Sequence, residues 1–109
     1  MNKHDVTAAI VVAGKIRSEL EDDYVGLWKV PWHLRRDLPG APDVLVAELS
    51  EAVLDGLLGL GAVLGDLDGT SGTFVPWPSA GALSSAMSAW RALGRDPNIG
   101  EVAWLARGW

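Results

Sequence analysis

The spacing of apolar residues changes several times along the chain, and each change marks an element. Over residues 5–23, Val6, Ala9, Ile10, Val12, Ala13, Ile16 and Leu20 fall on one side of a helical wheel. Lys15, Ser18, Glu19, Glu21 and Asp22 fall largely on the other, so the period predicts an amphipathic helix. Val11 lies off the stripe and Arg17 intrudes on it. Residues 24–30 are rich in strand formers, yet Trp28 and Trp32 also stand at helical spacing, so strand and helix both stay open there. A short helix from about Pro31 to Asp37 follows, because proline suits a first helical turn. Leu38-Pro39-Gly40-Ala41-Pro42 then reads as a loop.

A second long helix is expected over 43–58, opened by Pro42 or Asp43. Leu45, Val46, Leu49, Ala52, Val53 and Leu57 give it one apolar face, and Val44, Ala47, Leu54 and Leu58 a second. Only Glu48, Glu51 and Asp55 remain as a narrow polar ridge. Such a helix is either central in its own domain or shared with a partner, and a homodimer through helix 43–58 would bury Ala47, Leu54 and Leu58. Ala62-Val63-Leu64 and Thr73-Phe74-Val75 predict two short strands around a Gly- and Asp-rich turn at 65–72. Ser79 is the expected cap of a last helix ending near Leu93, with Gly94 as its stop. Residues 99–105 fit a strand or a turn or two of helix equally. The sum is a single α+β domain over 1–109, mainly α: three or four helices with a small β-hairpin. The order of elements suggests a winged-helix-like arrangement by analogy.

Composition narrows the classes of function. The chain has 109 residues, 49% of them hydrophobic, with six Trp and no Cys. Disulfides, thiolate metal sites and cysteine nucleophiles are therefore excluded, which fits a cytoplasmic protein. The N-terminal residues carry no signal-peptide pattern, and the longest apolar run, 53–67, is broken by Asp55, Asp66 and four glycines, so no membrane span is expected. The formal net charge is −5, and between Asp37 and Trp90 stand seven carboxylates without one Lys or Arg. Phosphate neutralisation needs clustered cations, so this asymmetry argues against nucleic acid.

Asp66-Leu67-Asp68-Gly69-Thr70 is the sharpest local motif. It resembles the first motif of haloacid-dehalogenase-type phosphatases, in which the first Asp is nucleophile, the second an acid/base, and both help bind magnesium. The family's downstream Lys is missing, since the last Lys here is Lys29. A polar hairpin turn accounts for the same residues. A calcium loop would need a Glu about a dozen residues after the first ligand, and none stands between Glu51 and Glu101. His4, placed on the terminus, and His33, beside Trp32 and Arg35, are too isolated for a zinc site or a triad. No catalytic residue, metal or other cofactor is expected.

Asp23-Tyr24-Val25-Gly26-Leu27-Trp28 with Pro31-Trp32, followed by the stretch Trp90 to Trp104 containing Asp96-Pro97-Asn98-Ile99-Gly100-Glu101, resembles a family of short uncharacterised actinobacterial proteins. The resemblance covers residues 20–105 and implies that the Trp-rich stretches recur; it implies no activity. The expected function is a non-catalytic module whose Glu48, Glu51, Asp55, Asp66 and Asp68 meet a basic partner protein, as in neutralising or regulating it. The alternatives are an atypical winged-helix, transcription-associated protein and, more remotely, a Mg²⁺-dependent hydrolase at the Asp66/Asp68 turn.

Overall fold

Asn2 and Asp5 start the chain's first helix. A computed structural model, describing residues 2–109, places α1 at Lys3–Leu20. The Asn2 side chain accepts from the Asp5 backbone N–H at 2.9 Å, and Asp5 accepts in return from the Asn2 N–H at 3.3 Å. This reciprocal capping box satisfies two N–H groups that the helix leaves unpaired, and it pulls the start ahead of the apolar stripe. It also puts His4 inside the first turn rather than on a free terminus. The buried face is narrower than the wheel predicts: Asp5, Ala8, Val12, Ile16 and Leu20 face inward. Val6 and Ile10 are exposed, because the helices packed against α1, at residues 29–37 and 43–59, cover only a strip with spacings of three and four.

The ambiguous stretch after α1 holds both elements. Val25–Gly26 is a strand, β1, and helix α2 runs Lys29–Asp37, with Pro31 in its first turn. Helix α3 spans Asp43–Gly59 with Pro42 as its N-cap residue. Both of its apolar faces are used within the chain. Val46, Leu49, Val53 and Leu57 are buried, and so is Leu54 at 0% exposure. Leu54 is therefore covered by this chain's own core, whereas Val44 stays exposed.

Strand β2 (Val63–Leu67) is longer than expected, running through Gly65 and Asp66 into the stretch read as a turn. β3 covers Phe74–Pro76, and its proline is tolerated because β3 is an edge strand. Ser79 does not cap the last helix. α4 spans Ala82–Leu93 with Gly81 in the left-handed region at its N-cap, and Ser79 belongs to the turn before it. Gly94, at φ +69°, ends α4 as its sequence predicts. The open segment 99–105 resolves into β4, Trp104–Ala106.

The α+β, mainly α class thus holds, but the hairpin is part of a larger sheet. Among the described residues the strands form one antiparallel sheet in the order β1-β4-β2-β3. β4 lies between β1 and the hairpin, pairing Leu105 with Val25 on one side and with Leu64 on the other. That row is buried and belongs to the same core as Ile16, Leu34 and Leu57 of the helices. Alternation sends the next row, Gly26–Trp104–Gly65–Pro76, to the opposite face. A Cβ on Gly26 would collide with the Trp28 ring, and one on Gly65 would meet the Phe74 ring at 2.6 Å and the Val75 carbonyl. Gly26 thus leaves room for the Trp28 ring, and Gly65 for the Phe74 ring and the Val75–Pro76 backbone. No helix among the described residues is long and apolar enough to cross a membrane.

Candidate functional site

Ion pairing sorts the acidic middle of the chain. Asp37 lies 3.5 Å from the Lys15 ammonium, and Asp43 accepts from Arg35 at 3.0 Å. Asp68 accepts from the backbone N–H groups of Thr70 (2.8 Å) and Ser71 (3.0 Å), and those two amides, Ser71 first, hold its carboxyl below the usual range. Glu48, Glu51, Asp55 and Asp66 have no ion-pair or hydrogen-bond partner among the described residues. The structure gathers Glu48, Glu51 and Asp55 along one shallow depression between α3 and α4, closed by Ala52 and Leu83. Asp66 and Asp68 stand on the hairpin and line no cavity with them. Among the described residues no group of three or more His, Asp or Glu side chains is placed to hold a metal ion.

The same ridge forms one wall of a groove of about 630 Å³. Val44 and Ala47 of α3 and Met87 and Trp90 of α4 supply its apolar surface, Glu48 and Glu51 line one side, and Arg91 the other. One end is closed by Arg35. Its Nε donates to Asp96 Oδ2 at 2.6 Å and its Nη2 to Asp96 Oδ1 at 3.1 Å, as well as to Asp43. The Asp96 carboxylate foremost, with Asp43 behind it, raises the guanidinium pKa further above its ordinary value. This bidentate link ties α2 to the loop after α4 across 61 residues of chain.

Beyond Arg35 and Asp96 lies a second groove, about 750 Å³, lined by Trp28, Trp32, Arg36, Pro97, Asn98 and Ile99. Its aromatic wall is built on α2: Trp28 and Trp32 meet edge to face with centroids 6.2 Å apart, and the Arg36 guanidinium lies 4.7 Å from the Trp32 ring centre. His33 sets its ring against Trp32 and brings Nε2 to 3.4 Å from Glu19 on α1. Glu19 also takes the Lys29 ammonium. Burial alone would raise the Glu19 pKa; Lys29 and then His33 outweigh it and leave it lowered.

The opposite wall is a loop held by Glu101. Its carboxylate accepts two bonds from Arg95, at 2.7 and 2.9 Å, and one from the Asn98 N–H at 2.8 Å. Those contacts, Arg95 first, pull its pKa from 4.5 down to about 2. Val102, next in the chain, is the one non-glycine residue with positive φ among those described, at +69°. The Ala103 N–H bonds back to the Glu101 carbonyl at 2.9 Å, closing a tight three-residue turn that a β-branched side chain rarely enters. The turn aims the Ala103 carbonyl at the Leu27 N–H (3.1 Å) and so feeds the chain into β4. Sequence reasoning found the acidic ridge but not this second groove. The available signal was the spacing of Trp28 and Trp32 and a lone Ile99 two residues after Pro97. No family model, curated protein or solved structure matches the chain.

Proposed function

We propose that this chain is a non-catalytic protein-binding module that receives a basic partner on the acidic ridge of α3. One observation carries the reading: of the carboxylates in the acidic middle, Glu48, Glu51 and Asp55 have no cation partner among the described residues and line one depression beside an apolar groove. Free charge at the edge of apolar surface steers a partner of opposite sign and then lets it bury an anchor. Asp66 and Asp68 enter only as a second acidic point on the hairpin. Neutralising or regulating a basic partner, as a binding protein for a cationic enzyme does, fits this surface and the net charge of −5.

The experiment compares capture of basic proteins from the native host by the wild type and by Glu48→Gln/Glu51→Gln/Asp55→Asn. The expected result is a partner retained at low salt by the wild type and lost by the triple variant. Equal retention by both proteins, or no basic protein retained at all, would sink the idea. The element order α1, β1, α2, α3, β2, β3 supports a second reading, an atypical winged-helix protein acting in transcription. On that reading duplex DNA is retained at roughly 50 mM salt and released by about 200 mM. On the first it is not retained at either, because the outward residues of α3 repel phosphate.

A further inference from the structure

We infer that a second copy of this chain docks on the outer face of the sheet and the Trp32 groove beside it, forming a symmetric dimer. The surface is continuous through its rings. Tyr24 stacks on Phe74 with centroids 5.3 Å apart and planes 12° from parallel. Trp28 and Trp104 flank Gly26 on the same sheet face, and Trp28 meets Trp32, which shares the second groove with Ile99. Tyr24 is 40% exposed, Trp32 43% and Ile99 71%, in a chain whose other apolar residues are mostly in its core. Two carboxylates beside it are held in place: Asp23 accepts from the Tyr24 N–H at 2.7 Å, and Asp96 is paired with Arg35.

Area and charge together argue for a second copy. With each large aromatic side chain offering roughly 150–250 Å², the exposed parts of these rings and Ile99 sum to on the order of 500 Å² of apolar surface. A stable interface removes roughly 800 Å² per partner, and in homodimers about 65% of it is apolar, which asks for about the same apolar area. Two chains of net charge −5 repel, so they associate best where no free carboxylate faces its copy. The unpaired Glu48, Glu51 and Asp55 exclude the α3 ridge from that role, whereas the ring surface is bordered by Lys29 over Trp28 and Arg36 over Trp32. Depletion of charge with enrichment in Trp and Tyr is the composition of an interface core.

Light scattering and sedimentation on the full chain at roughly 100 μM test this, a concentration at which a dimer with Kd below about 10 μM predominates. The expected wild type is a dimer, Ile99→Asp is a monomer with unchanged circular dichroism, and Val44→Asp on α3 stays a dimer. Trp32→Glu serves as a second break in the same surface. A monomeric wild type overturns the inference, as does a dimer that survives both Ile99→Asp and Trp32→Glu. A dimer dissolved by Val44→Asp and not by Ile99→Asp would move the contact to helix α3. None of these outcomes bears on capture of a basic partner by the α3 ridge.

Discussion

Ser50 sits fully buried on α3 with no hydrogen-bond partner for its hydroxyl among the described residues. An unpaired buried polar group costs roughly 1–3 kcal/mol, so Ser50→Ala is expected to leave stability unchanged or raise it by about 1 kcal/mol in urea unfolding. A loss of more than that would mean that the hydroxyl has a bonded role. Glu101 makes the opposite kind of contribution. Its folded carboxyl titrates at about 2 against an ordinary 4.5 because Arg95 and then the Asn98 N–H stabilise the anion. The stabilisation is therefore complete above the unfolded value, near 4.5, and is lost as pH falls toward 2. NMR titration should place the Glu101 midpoint near 2 in the wild type, and Arg95→Gln should move it upward toward 4.5. A midpoint that does not respond to Arg95→Gln would refute the assignment of cause.

Elements are held to one another by a few close approaches that no periodicity announces. Gly65 is the sharpest. Its Cβ position is occupied by the Phe74 ring at 2.6 Å and by the backbone of Val75 and Pro76, with the Pro76 Cα at 2.9 Å. A ring can turn, but backbone of a paired strand cannot, so Gly65→Ala should cost about 1–3 kcal/mol as over-packing. Gly26→Ala meets only the Trp28 and Trp104 rings and should cost less. Thermal unfolding of the two variants side by side checks the order, and equal costs would show that β3 yields as readily as a ring. The helices were legible from their period within a few residues; β1 and β4 were not. Strands of two and three residues show no alternation to read, and they exist because β4 finds both β1 and β2 to pair with.

Charge acts on the molecule as a whole. Glu48, Glu51 and Asp55 stand three and four residues apart on one helix, where each like-charge pair costs about 0.2–0.5 kcal/mol. With the net charge at −5, raising salt from about 0.01 M to 0.15 M shortens the screening length from about 30 Å to 8 Å and should raise the unfolding temperature. The triple ridge variant should begin more stable and gain less from salt. A wild-type unfolding temperature that falls with salt would instead show that its ion pairs outweigh its repulsion. A ridge that lowers stability in the free protein is one whose cost a basic partner removes on binding.

What could be read from residues alone was whatever repeats locally: the helical periods of 43–58 and 79–93, the break at 38–42, the turn around Asp68, and the one-sided charge. These depend on neighbours a few positions away, so the order of residues contains them. Which half of a stripe is buried was decided by packing, as Asp5 and Ala8 facing inward and Ile10 outward show. The same holds for the carboxylates. Asp37 and Asp43 look no different in sequence from Glu48 and Glu51, and only the fold brings Lys15 and Arg35 to the first two and, among the described residues, no cation to the second. The Trp groove depends entirely on tertiary structure, because its walls lie some 61 residues apart and meet through the Arg35–Asp96 bond. Contacts at that separation are set by how the helices and sheet pack, and no local pattern encodes them.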